Sequence, residues 1–472
     1  MKNRLFLNLL KTAVFVFVVV LALIVRKKNY AEIPIPGQSV DEYSYSWVGL
    51  SLIKDGMPVG VSGIDGYKNS LSRYINVDRF FQTVSTGNSL TINYPWMDHP
   101  PLLGLITGGY AYLSGARVFE DVTSYIIRKP IIIISTISVA LLMVYCWINF
   151  NFLTAVIGGL IYATTPLIVL SGRMIQAENA IIPCLLACMI SVSLYLKTKK
   201  DAWLFISALI AGVATLFKLT ALTCHLFVLF ALLNNYKKDK INKFINDFGF
   251  FLLISLPITF LFVIYGSVYG LENFKNILFS NYNRFYGIGP NSLIELIRNQ
   301  RLTQHKFLPE ASIISGWIIF IGFLIKKPKD IATKLVIWSI FSYLITYIFF
   351  GGQPYGWYTF PFWPLLVIVL SKFLSDGIIR RKNLLPVFLV SLLILGANIS
   401  KLMGIFEFQP FSDLWRITVS VLIFILVVLS FYKKRVSWFY QLLLILMVGA
   451  IIYTNIQYLN NIDLSFWWQN IS

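Results

Sequence analysis

The chain has 472 residues, of which 57% are hydrophobic and only 13% charged, and its mean hydropathy is +0.71. Soluble domains are roughly half apolar and about a quarter charged, so these figures exclude both a soluble multidomain protein and a disordered chain. The net charge of +19, from 40 Lys and Arg against 21 Asp and Glu, lies mostly in short clusters between apolar runs. That is the pattern of loops beside anionic lipid rather than of a nucleic-acid-binding face.

The first apolar run, Leu5 to Val25, lacks a small-residue cleavage site and reads as a signal anchor. Further runs long enough to cross a bilayer are predicted at 126–148, 152–170, 178–196, 202–217, 219–233 and 248–266. They continue at 311–325, 331–350, 357–374, 384–400, 414–432 and 436–456. The expectation is an all-α polytopic membrane protein of about 13 transmembrane helices, with a long first outer loop carrying interfacial helices. Its modules are 1–266, including the outer loop 26–125; a second outer loop at 267–310; and a C-terminal transmembrane module at 311–472. Cys146, Cys184, Cys188 and Cys224 all lie inside apolar runs, where packing is expected rather than disulfide or metal chemistry.

Within the first outer loop, Asp41 to Lys54 places Tyr45, Val48, Gly49 and Leu52 on one helical face, and Ser70 to Ser85 has similar spacing. The Gly-, Ser- and Asp-rich stretch between them, Asp55 to Gly66, is a turn region. Pro101 to Phe119 is apolar but glycine-rich, and its place follows from charge. If it does not span, the short inner segments carry 20 Lys and Arg, and the short outer ones carry only Arg173, Lys218, Lys401 and Arg416. Spanning would reverse that asymmetry, so this stretch is expected to lie in or dip into the outer interface. The N-terminus is then inside and the C-terminus outside. Reporter fusions after residues 125, 240 and 460 should report outside, inside and outside; labelling of position 240 from the outer side alone contradicts this threading.

Threaded this way, the unusual polar residues collect on one face: Asp41-Glu42, Asp98-His99-Pro100-Pro101, Arg173 and Glu178, Lys218, Arg284 and Arg301, and the turn containing Gln353 and Tyr355. Two readings of the acids stand. Asp41 and Glu42 begin a helix, where the dipole favours anions; either is also suited to act as a general base toward a hydroxyl. Adjacent helical residues diverge by about 100°, so only one of the pair is expected to face a substrate. His99 precedes a rigid helix start or contacts a phosphate or an acceptor. The cations Arg173, Lys218, Arg284 and Arg301 border the membrane, where they either snorkel or together bind a lipid phosphate. Three histidines in scattered settings argue against a zinc site, and no nucleotide-binding or serine-nucleophile motif occurs in a supporting context. The energy for a reaction must therefore arrive with the substrate.

The Asp-Glu pair soon after the first span, Asp98-His99-Pro100-Pro101-Leu102, Arg173-Met174-Ile175-Gln176-Ala177-Glu178-Asn179 and the aromatic-proline run Pro354 to Pro361 together resemble the C-type superfamily of membrane glycosyltransferases. The branches most alike are the protein O-mannosyltransferase, lipid A aminoarabinose transferase and bacterial Rgt-like families. The likeness covers most of residues 1–235. It implies a polyprenyl-phosphate-linked sugar donor, inverting transfer to a glycan, lipid or protein hydroxyl, and a site on the outer face of what is expected to be a bacterial cytoplasmic membrane. It also implies Asp41 as catalytic base with Glu42 in support, and Glu178 as an acid that orients the acceptor or assists the base. Donor phosphate contacts are expected among His99, Arg173, Lys218, Arg284 and Arg301, and acceptor or sugar contacts at Asp98, Gln353 and Tyr355. In the aminoarabinose transferases a lysine stands where this chain has His99, so another cation is expected to fill that role. No cofactor is evident, and the superfamily has no single metal requirement. The competing expectation is a polytopic solute or lipid-linked glycan transporter or flippase: a transporter should show mid-span charges and an internal repeat, and a flippase a dense set of intramembrane arginines; mid-span charges are scarce and no repeat is visible.

Overall fold

The computed structural model describes residues 2–37, 41–75, 90–236, 241–283, 300–303, 306–350, 355–380, 384–406 and 437–464, with a few isolated positions between them. These form sixteen α-helices and one small sheet. The helices are α1 (Lys2–Lys27), α2 (Asp41–Asp55), α3 (Leu102–Leu113), α4 (Ser124–Asn149), α5 (Phe152–Thr164), α6 (Pro166–Ser171), α7 (Ala177–Thr198) and α8 (Asp201–Thr215). They continue with α9 (Thr223–Asn235), α10 (Ile241–Val268), α11 (Leu271–Asn283), α12 (Ala311–Lys326), α13 (Ile331–Phe350), α14 (Phe362–Arg380), α15 (Leu384–Phe406) and α16 (Ser437–Asn461).

Eight of these helices are individually long and apolar enough to cross a membrane, and this is a polytopic integral membrane protein. Every predicted span except 414–432 falls on helix; that one lies almost wholly outside the described residues. The 152–170 span is two helices, because Pro166 has no N–H to continue α5 and instead opens α6. Burial sorts the helices. The apolar windows of α7 and of the segment Gly356–Arg380 are 78% buried, against 17% for α1 and α10. The first two are therefore central and the last two peripheral, with large exposed side chains such as Phe6, Leu253 and Val268. Such surface is stable against hydrocarbon and not against water.

The described parts of the segment between α1 and α4 pack on the helical bundle. Helix α3 has 12 residues, a rise of roughly 18 Å, well short of the ~30 Å hydrocarbon core. It lies against α2 at backbone contact. A Cβ on Gly49 would sit 1.8 Å from the Gly104 carbonyl oxygen, and one on Gly108 would sit 2.3 Å from that of Ser46. Only glycine permits that approach. Gly49→Ala is expected to cost about 3 kcal/mol through overpacking, and Gly449→Ala, where nothing lies within 4 Å of the added carbon, should be neutral or mildly stabilising. Thermal melting of the two purified variants checks both. Equal melting temperatures would contradict the close packing.

Two sequence expectations need correction here. Asn69–Arg73, within the stretch expected to be helical, is instead strand β2; it pairs antiparallel with β3 (Leu90–Tyr94), which also pairs with β1 (Gly60–Val61) in the order β1-β3-β2. Every residue of β2 is exposed, so its helical spacing had no apolar face to bury and backbone pairing decided the conformation. Residues 76–85 of the same expectation lie outside the described residues. Helix α2 was expected to bury one face, yet residues 42–51 are buried all round, because α3, the sheet and the bundle enclose it.

Candidate active site

Helix α7 carries Glu178 in its first turn, where four unbonded backbone N–H groups and the helix dipole favour a carboxylate. Opposite it, the chain leaves α8, and Lys218 stands in extended backbone before a 3-10 turn at Leu219–Leu222. The Lys218 ammonium donates to Glu178 Oε1 at 2.7 Å, with both side chains buried. The same nitrogen lies 4.1 Å from the centre of the Tyr358 ring, near enough for a cation–π contact. Burial works against the Lys218 charge. The Glu178 carboxylate, which also accepts its hydrogen bond, and the more distant Asp41 outweigh it and raise the pKa above the usual lysine value. Because the folded value is the higher one, the stabilisation is complete below the ordinary lysine pKa and is lost only as pH rises through the folded one. The contribution of Lys218 to wild-type stability is therefore expected to stay constant between about pH 6 and 9, which melting curves of the wild type across that range would check.

Lys218, Thr220 and Tyr358 line a cavity of about 340 Å³ together with Asp98, His99 and Pro100. Its remaining wall is Leu278, Phe279, Asn281 and Tyr282 of α11, with Leu219. Asp98 is held from three sides: Oδ1 accepts from the Tyr67 hydroxyl at 2.5 Å, Oδ2 from Ser62 Oγ at 2.6 Å, and its carbonyl from Asn281 Nδ2 at 2.9 Å. Burial and the Asp98 carboxylate push the Tyr67 pKa far above its ordinary value, so this hydroxyl stays a donor. His99 stacks on Tyr45, ring centres 5.8 Å apart, and meets Trp96 edge-on. Two buried oxygens, Glu178 Oε2 and Thr220 Oγ1, have no hydrogen-bond partner among the described residues.

Asp41 opens α2, and its charge reaches both Lys218 and Tyr45. Its neighbour is turned elsewhere. Both carboxylate oxygens of Glu42 take the buried Arg128 guanidinium, at 2.5 and 2.9 Å, and Oε2 also accepts the Gly37 N–H at 3.3 Å. Arg128 further donates to the carbonyls of Tyr30 and Pro34 at 2.7 Å. Arg173 is likewise buried, donating to the carbonyls of Val25, Arg26 and Ile33. Arg26 binds Ser135 and the carbonyls of Ala22, Tyr162 and Ala163. Arg128 and Arg173 thus hold the backbone between Val25 and Pro34, while Arg26 ties the end of α1 to α4 and α5.

Of the residues singled out in the sequence, Asp98, His99 and Lys218 line the cavity, Glu178 is bonded to Lys218, and Asp41 lies within electrostatic reach of it. Arg301 stacks on Phe307 at 4.7 Å, and Tyr355 on Trp357 at 4.9 Å. Arg284 and Gln353 lie outside the described residues. Reading the sequence missed Arg128, Tyr67, Ser62 and Asn281, and within the aromatic-proline run it put the contact on Tyr355 rather than Tyr358. Arg128 had a signal: a charge in the opening turns of an apolar span is expensive and calls for a partner. The described residues contain no group of three or more His, Cys, Asp or Glu placed to hold a metal ion.

Residues 98–265 match the family model of dolichyl-phosphate-mannose-protein mannosyltransferases, about a third of the chain. Two solved structures of ArnT from Cupriavidus metallidurans share the fold. The form bound to undecaprenyl phosphate is 13% identical with a TM-score of 0.52, covering 96% of this chain and 77% of that one. The apo form is 12% identical, also at 0.52, covering 98% and 77%. The apo oligosaccharyltransferase of Archaeoglobus fulgidus is a fainter likeness, at 0.49 and 12% identity over 95% of this chain and 55% of its own. No curated protein matches the sequence significantly. The chain thus shares the fold of ArnT over nearly its whole length, and its residues 98–265 resemble the mannosyltransferase family.

Proposed function

We propose that the protein moves a sugar from a polyprenyl-phosphate donor to a hydroxyl group on a glycan, lipid or protein, with inversion, on the outer face of the membrane. The observation that carries this reading is the cavity itself, where the buried Lys218 ammonium, bonded to Glu178 behind it, and the Asp98 carboxylate face the apolar wall of α11. A lipid phosphate needs a cation at its head and apolar surface along its chain. Lys218 supplies the first, and Leu278 and Phe279 begin the second. One of the two ArnT structures holds undecaprenyl phosphate, which agrees with that class of donor.

The reaction asks for little else. Asp41 takes the proton of the acceptor hydroxyl as its oxygen attacks the anomeric carbon. The bond from that carbon to the phosphate oxygen breaks on the opposite side, and the electron pair leaves with the polyprenyl phosphate. Lys218 offsets the charge gathered on the leaving phosphate, while Glu178 holds the ammonium in place. Asp41 stands at the start of the buried helix α2, and placement of a reacting group on a rigid element contributes a large share of rate in transfers of this kind. The expected outcome of deleting the gene is loss of one sugar from envelope glycans, lipids or proteins, with build-up of its lipid-phosphate donor. Mass spectrometry of both pools checks this; unchanged pools would overturn the reading.

A further inference from the structure

We propose that Glu310 and Lys401, far from the reacting residues in sequence, are a positioning pair that holds Tyr358 over Lys218. Glu310 precedes α12 and is buried; its Oε1 lies 2.7 Å from the Lys401 ammonium on α15. The Glu310 N–H donates to Gln300 Oε1 at 2.5 Å, and the Leu308 N–H to the Gln300 carbonyl at 3.0 Å. Between these anchors the chain doubles back: Arg301 pairs with Phe307, and the Leu302 N–H donates to the Lys306 carbonyl at 2.9 Å. The ion pair thus clamps the base of a short hairpin.

The hairpin rests on the turn that carries Tyr358. A Cβ on Gly356 would sit 2.2 Å from the Arg301 carbonyl oxygen, so the two backbones are in contact and leave no room for movement toward each other. Gly356 opens the 3-10 turn Gly356–Thr359, and the Tyr343 hydroxyl donates to the Tyr358 carbonyl at 2.8 Å from the other side. Tyr358 is therefore held between the hairpin and α13, with its ring 4.1 Å from Lys218. An ion pair with a buried carboxylate is a costly way to join Glu310 to α15; here it braces the hairpin that packs against the turn carrying Tyr358. The inference rests on the reading of Lys218 as a donor-phosphate contact.

The test uses the purified full chain, with undecaprenyl phosphate as the probe ligand and thermal melting as the check of fold. Glu310→Gln and Lys401→Met are expected to weaken probe binding about 10- to 100-fold, the scale of a small misplacement acting at a distance. Lys401→Arg, which keeps charge and donor, should bind like wild type. Gly356→Ala, which leaves the ion pair intact and displaces the hairpin, should reproduce the loss, so the proposal stays testable even where a charge variant does not fold. In transfer assays the positioning variants should raise donor KM with kcat at saturating donor preserved, whereas simple loss of folded protein lowers kcat and leaves KM alone. Folded Glu310→Gln and Lys401→Met that bind the probe like wild type overturn the positioning role. Wild-type binding by Lys218→Ala, or no binding by the wild type, overturns the donor reading and with it this one.

Discussion

Asp41→Asn is expected to lower kcat by about 10²–10⁴-fold, the range a general base contributes, with folded yield and donor affinity preserved. The substitution keeps the shape and the helix start while removing the proton acceptor. Glu42→Gln should behave in the opposite way. The Glu42 carboxylate is bound on both oxygens by a buried guanidinium, so neutralising it strands the Arg128 charge and costs stability, about 3–5 kcal/mol for a fully buried pair. Single-turnover transfer and thermal melting of both variants separate the roles. A folded Asp41→Asn with near-wild-type turnover would refute the assignment, and inactivity of Glu178→Gln would then pass the role of base to Glu178.

Lys218→Met should show the second large effect, and it should show twice. It leaves Glu178 buried without its partner, which costs about 3–5 kcal/mol of stability, and it removes the cation expected at the donor phosphate, which raises donor KM. The double variant Lys218→Met/Glu178→Gln isolates the two losses. Without a stranded charge it should recover most of the stability, because apolar or neutral replacements of buried pairs are well tolerated. It should recover none of the donor affinity. Recovery of both would make Lys218 a structural partner of Glu178 and nothing more.

The helical architecture was legible because long apolar runs of roughly 20 residues have almost no alternative in a bilayer. The loop chemistry was legible only in part. Asp41, Asp98, His99, Glu178 and Lys218 could be named because ionisable residues are rare here and charge asymmetry placed them on one face. Their partners could not be named. That Glu42 faces Arg128 across 86 residues of sequence depends on how α2 packs against α4, which no local pattern records. Tyr358 comes to Lys218 across 140 residues of sequence through tertiary packing alone. The short sheet was missed for a related reason: β2 has no buried face, so its conformation is set by pairing with β3, which lies well beyond it in the chain. Arg173 stood beside Glu178 in the sequence and was read with the donor cations; in the structure its donors reach the carbonyls at the end of α1 and the start of the loop.

The most direct test of the central claim is transfer by the purified protein from a synthetic polyprenyl-phosphate sugar to a hydroxyl acceptor, with the product's anomeric configuration read by NMR. The expected result is release of one polyprenyl phosphate for each sugar transferred, inversion at the anomeric carbon, and loss of both in Asp41→Asn. Retention of configuration, or transfer that does not need Asp41, would contradict it.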